Sequence, residues 1–268
     1  MSWLNAIVKT PATGALLFCL LALSACVSTG NSALGSNADR DAALKTSVQL
    51  ARTYLGEGNW EAAKRHLRTA LEIDKRNAEV HEALALVFQN TGELELAEEH
   101  FQRAIRIDRD FSRARNNYGV FLYQEQRYQD AKEQLEYVVE DILYENRRLA
   151  FINLGRCYRQ LEELDAAERA FRRAWLMDKK SPIALLELAE VNFITGQVGQ
   201  ARQHYEDYRV QVEQQQSARG LWLGIRIARA YEDRNAVASY ALALRNLYPK
   251  SPEYFHYLKS RDARSTVR

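Results

Sequence analysis

The sequence predicts an all-α solenoid of about six helix–turn–helix repeats, behind a processed N-terminal segment and a flexible tether. Three observations predict it. Similar segments recur at a nearly constant spacing from Leu50 onward. Helix breakers are scarce, with 4 prolines and 12 glycines in 268 residues, so regular helices with small turns are expected. The first 25 residues carry one charge, Lys9, and an apolar run that ends abruptly at Cys26.

Residues 16–29 read LLFCLLALSACVST. From Ala12 to Ala25 the run holds about a dozen apolar residues, whereas a membrane helix needs roughly 20. A basic residue, then an apolar stretch, then small residues is the layout of a secretory signal. The site Leu23-Ser24-Ala25-Cys26 resembles the lipobox of bacterial lipoproteins. That resemblance implies a signal peptide at 1–25, cut just before Cys26, and a diacylglycerol on the Cys26 thiol. The other reading is an uncleaved anchor, or an ordinary signal with a chance cysteine. Val27 rather than Asp follows the cysteine, which suggests the outer membrane. The expected location is therefore that membrane's inner leaflet, reached through acyl chains, on the periplasmic face. Each buried methylene contributes about 0.8 kcal/mol, so two or more chains anchor stably.

Residues 26–40 comprise the acylated cysteine and a Ser/Gly/Asn-rich stretch without apolar periodicity, expected to be a flexible tether. Such a chain spans on the order of 20 Å. The repeat domain is expected over 41–260, with a C-terminal tail at 261–268. Loss of Lys9 leaves 36 basic and 35 acidic residues, so no electrostatic case for nucleic acid exists. Of three cysteines, Cys19 leaves with the signal and Cys26 is acylated, so only Cys157 keeps a free thiol, which excludes an intramolecular disulfide.

Five segments align from Leu50, Leu84, Tyr118, Leu154 and Leu188, with steps of 34, 34, 36 and 34. A 34-residue period is that of the tetratricopeptide repeat. A small residue follows each first anchor: Ala51, Ala85, Gly119, Gly155 and Ala189. It allows the first helix of a repeat (helix A) to approach the second (helix B). Helix B answers with small Ala63, Ala97, Ala131, Ala167 and Ala201, and four residues later with large Leu67, Phe101, Leu135, Phe171 and Tyr205. This spacing keeps both on one helical face. Gly58, Gly92 and Gly196 mark turns. A sixth copy at 221–254 exchanges the two sizes, with Val237 and Ala241. The piece SPEYFHYLKS would cap the stack, since an end repeat lacks a neighbour.

No catalytic constellation is present in this pattern. His66, His100 and His204 share one repeat position, which is repeat geometry rather than a ligand set. Cys157 lies inside a helix and reads as a small buried hydrophobe. Neither a Gly-rich phosphate loop nor G-x-S-x-G occurs. Hence no enzyme, cofactor or metal is expected, and function must lie in binding. In this repeat family partners lie along the concave face lined by helix A. The register places there Val48, Arg52 and Leu55, then Glu82, Leu86 and Gln89, then Asn116, Val120 and Tyr123. Later copies add Ile152, Arg156, Arg159, Leu186, Phe193, Trp222, Arg226 and Arg229, a more basic set. The apolar positions of the first three copies suit an amphipathic segment laid in a groove.

The strings LWLGIRIARAYEDRNAVASYALALRNLYPKSPEY and NNYGVFLYQEQRYQDA, behind the lipobox, resemble the type IV pilus pilotin lipoproteins, the PilF/PilW family. The resemblance covers nearly the whole mature chain. It implies a non-catalytic role: binding the secretin subunit of the type IV pilus, escorting it to the outer membrane and favouring its multimer. The alternative is an outer-membrane scaffold for peptidoglycan enzymes or for the outer-membrane insertase. Cys26→Ser is expected to abolish metabolic labelling with a fatty acid and to leave the signal uncleaved by the lipoprotein route. Labelling that persists in the variant would contradict the lipidation site.

Overall fold

The computed structural model describes residues 37–213 and 215–265. Cys26, the signal and residues 27–36 of the expected tether lie outside the described residues. The chain divides into a unit up to Thr46 and a unit Ser47–Arg268. Among the described residues there are thirteen helices and no strand. They are α1 Asn37–Gly56, α2 Trp60–Ile73, α3 Ala78–Thr91, α4 Leu94–Ile107, α5 Ser112–Gln124 and α6 Tyr128–Glu140. Then follow α7 Arg147–Gln160, α8 Leu164–Met177, α9 Pro182–Ile194, α10 Val198–Val212, α11 Ala218–Ala230, α12 Arg234–Leu247 and α13 Pro252–Ser265. Odd-numbered helices up to α11 are the A helices and even-numbered ones the B helices.

Two helices run past the bounds expected for the repeat domain. Helix α1 begins at Asn37 rather than after Arg40. Asp39 in its first turn complements the helix dipole, and the alanines beyond favour helix. At the other end α13 runs to Ser265, past the expected boundary at 260.

The small-against-large pattern is the packing rule of the second unit. A Cβ built on Gly119 would lie 2.8 Å from Leu135 Cγ, and one on Gly155 would lie 2.5 Å from Phe171 Cε1. Helix A can reach helix B in these copies only without a side chain. Ala63, Ala97, Ala167 and Ala201 are fully buried, as are Leu67, Phe101, Leu135 and Phe171. The sixth copy inverts the rule and still fills the space. Ile225 on α11 occupies the position of the small residue and shares a cluster with Ala241 and Leu244 of α12. The adjoining Gly224 is free for Tyr205 of the preceding repeat, whose hydroxyl any added Cβ would meet.

The backbones of successive A helices approach one another, α3 on α5, α5 on α7, α7 on α9 and α9 on α11, whereas among the described residues the backbones of successive B helices stand apart and meet only through side chains such as Trp175 and His204. Helix A therefore lines the inner, concave side and helix B the outer. Within each repeat the turn needs one left-handed residue. Gly58, Gly92 and Gly196 supply it at φ 71, 88 and 77°. Gln126, Glu162 and Glu232 do so at φ 62, 62 and 57° in the other copies.

Gly155→Ala is expected to lower stability by about 1–3 kcal/mol through overpacking against Phe171. The double variant Gly155→Ala/Phe171→Leu should recover part of that loss. Thermal melts of the three proteins check it, and equal melting temperatures would show that this contact does not set the A–B distance.

Candidate interaction face

Helix A side chains are joined across the concave side by a chain of polar contacts. Arg52 of α1 donates to the fully buried Glu82 of α3 at 2.6 Å. Asn117 of α5 donates to the other oxygen of Glu82 at 2.7 Å. Arg113 approaches Glu79 at 3.3 Å and Glu82 at 3.6 Å. Asn116 donates to Asn117 at 3.3 Å and accepts from Asn153 of α7 at 3.4 Å. Further along, Arg156 of α7 donates to Glu187 of α9 at 2.8 Å, and Arg219 of α11 grips the same carboxylate at 2.9 and 2.6 Å. Glu190 receives Arg159 and Arg226 at 2.9 Å each, together with Arg219. Buried charges persist when paired and hydrogen-bonded in this way.

Glu187 is 1% exposed. Burial alone would raise its carboxyl. The hydrogen bond from Arg219 and the charges of Arg219, Arg159 and Arg156 outweigh burial and hold it at about 2, against an ordinary 4.5. Burial likewise opposes ionisation of Glu190, and Arg219, Arg159 and Arg226 pull its carboxyl below the ordinary value.

The expected face residues separate into three groups. Val48 is a correction: at 7% exposure it is part of the core and offers no surface to a partner. Ile152 and Leu186 are buried too, at 1 and 8%. Their common position, two residues before the first anchor, lies at the seam where neighbouring A helices close on each other. Polar members are tied into the contact chain: Arg52 and Asn116 as above, and Gln89, which donates to Gln124 at 2.7 Å. The apolar group Leu55, Leu86, Val120 and Tyr123 is half-buried. Leu86 and Tyr123 pack against the central core, and Tyr123 also accepts from Gln160 at 3.1 Å. Leu55 and Val120 are the more separable positions.

Sequence reasoning missed Glu187, Asn117, Asn153, Arg113 and Arg219. The available signal was a glutamate inside the apolar run PIALLELAEV, which demands a buried partner. Of the arginines that make the later set basic, Arg156, Arg159 and Arg226 are bound to Glu187 and Glu190, and Arg229 donates to Ser260 at 2.9 Å. Elsewhere the chemistry-bearing side chains serve packing. Cys157 is fully buried, and burial pushes its thiol up to about 12, so thiolate is scarce at neutral pH. His66 stacks on Tyr54 at 5.4 Å, His100 meets His81 Nδ1 to Nδ1 at 3.0 Å, and His204 stands edge-on to Trp175 at 5.8 Å. No group of three or more His, Cys, Asp or Glu side chains that could hold a metal occurs among the described residues.

A tetratricopeptide-repeat family model matches residues 48–110, 90–142 and 152–218. The chain is 40% identical over 242 residues to the type IV pilus assembly protein PilF of Pseudomonas aeruginosa, covering 90% of this chain and 95% of that one. Among solved structures, that of Pseudomonas aeruginosa PilF is similar with TM-score 0.76 and 39% identity, over 83% of this chain and 99% of the other. The structure of PilW, a widely conserved type IV pilus biogenesis factor, matches with TM-score 0.72 and 27% identity, over 80 and 98%.

A carboxyl held below its unfolded value stabilises the fold above that value and ceases to do so as pH falls through the folded one. For Glu187 this stabilisation is full above pH 4.5 and drains away toward pH 2. It amounts to about 3 kcal/mol. Glu187→Gln leaves three arginines facing a neutral amide. It should cost about 3–5 kcal/mol at neutral pH and flatten the acid limb of the stability curve. Thermal melts between neutral pH and pH 2 check this, and a parallel acid limb in the variant would remove Glu187 as its source.

Proposed function

The chain belongs to the tetratricopeptide-repeat proteins of type IV pilus biogenesis, and from that membership we propose that it binds the pilus secretin subunit and promotes its placement and multimer assembly at the outer membrane. The observation that carries the reading is the 40% identity to PilF, which extends over 90% of this chain rather than over the repeats of one segment. In this reading the protein is a pilotin, held by acyl chains on Cys26 in the inner leaflet of the outer membrane and facing the periplasm.

Physical chemistry supports the assignment from two sides. A secretin subunit exposes apolar, membrane-destined surface until it inserts, and such surface needs cover. The A helices of the first three repeats present Leu55, Leu86, Val120 and Tyr123 as half-buried apolar positions, beside a polar contact chain that fixes their spacing. An amphipathic segment laid along them buries both apolar faces. A lipid anchor would then hold the bound subunit at the membrane, raising its local concentration as any tethered second site does.

Val120→Glu tests the groove with little disturbance of the core. The variant is expected to keep its helicity and melting temperature, to lose co-purification with the secretin from solubilised membranes and to lower the amount of assembled multimer. Unchanged melting with full secretin recovery and full multimer would remove the groove from the proposal.

A further inference from the structure

The early and late repeats treat the carboxylates of their A helices differently. Beside Glu79 and Glu82 stand two arginines, Arg52 and Arg113, so charges match. Beside Glu187 and Glu190 stand four: Arg156, Arg159, Arg219 and Arg226. Both oxygens of each late carboxylate are hydrogen-bonded. Glu187 Oε1 accepts from Arg156 and Arg219, and Oε2 from Arg219. Glu190 Oε1 accepts from Arg226, and Oε2 from Arg159 and Arg219.

Donors are left over. Arg156 uses only its Nε, its side chain is 34% exposed, and its two terminal nitrogens bond nothing among the described residues. Arg226 bonds through Nη2 alone, and its buried Nε has no partner. Its guanidinium lies over the rings of Phe193 at 5.1 Å and Trp222 at 5.8 Å, which fixes its plane. Neutralising two glutamates requires two arginines. The other two leave the cluster with a surplus of two positive charges, held against their mutual repulsion by Glu187 and Glu190.

We propose that the concave face of α7, α9 and α11 binds an acidic peptide segment, with carboxylates received by Arg156 and Arg226 and an adjacent apolar or aromatic side chain by Phe193 and Trp222. Planar guanidinium groups match carboxylates in bidentate geometry. The residues lie on A helices, on the inner side of the stack, where a single extended or helical segment fits and a flat bilayer does not reach. Two surplus charges are also too few for a polyphosphate track. The assignment holds whichever protein supplies the segment and does not depend on the secretin reading.

The test uses the full-length protein in detergent and a fluorescein-labelled twelve-residue peptide of alternating Glu or Asp with Leu or Phe. Its Gln/Asn counterpart and a labelled oligothymidylate are the comparisons. The acidic peptide is expected to bind at least about tenfold more tightly than its amide counterpart, as the loss of one or two charge-assisted hydrogen bonds requires. Arg156→Gln/Arg226→Gln should lose about the same factor, and Arg156→Lys/Arg226→Lys should restore part of it. Equal binding of the amide peptide, undiminished binding by the Gln variant, or equal binding of the oligonucleotide would overturn the proposal. If the Gln variant melts early, the comparison of the two peptides on the unaltered protein decides alone.

Discussion

Everything in the repeat unit depends on how closely helix A can approach helix B. The contact is one of volumes. Gly119 and Gly155 make room for Leu135 and Phe171, and in the last copy Ile225 meets Ala241 instead. One repeat cannot bury its apolar face alone, so each contact also sets where the next repeat begins. Phe101 shows the coupling. It is buried in its own repeat, and its ring lies 5.7 Å from both Tyr118 and Phe121 of the following A helix.

With the A–B distance fixed, the A helices stand close enough for side chains to bond from one repeat to the next. The contact chain from Arg52 through Glu82, Asn117 and Asn116 to Asn153, and from Arg156 through Glu187 to Arg219, is a product of that closeness. It holds the concave face in one geometry, so a partner meets a prearranged surface and ordering costs on binding are lower. The chain also divides the face by chemistry. Half-buried apolar side chains prevail in the first three repeats, and guanidinium groups with aromatic rings in the last three.

The register of the repeats was legible because 34-residue spacing and small-against-large residue choice are both written in side-chain size. The sixth copy exchanges the two sizes on helix B, with Val237 and Ala241, and Ile225 on helix A supplies the volume that Ala241 lacks. Three turns were less legible, since Gln126, Glu162 and Glu232 adopt a conformation that glycine marks elsewhere. The concave face was legible in part. Helical phase put Val48, Ile152 and Leu186 on the correct side of helix A, yet phase does not tell an open position from a seam between two helices. Nor does composition show that Arg159 and Arg219 are held by Glu187 and Glu190, because that pairing joins residues about thirty positions apart.

The central claim is that the partner lies on the helix A side of the stack. A photo-crosslinking amino acid placed at Val120, on the concave face, and at Leu96, exposed on the outer helix α4, tests it most directly in cells assembling pili. The account predicts a secretin adduct from position 120 and none from position 96. An adduct from position 96 alone would contradict it.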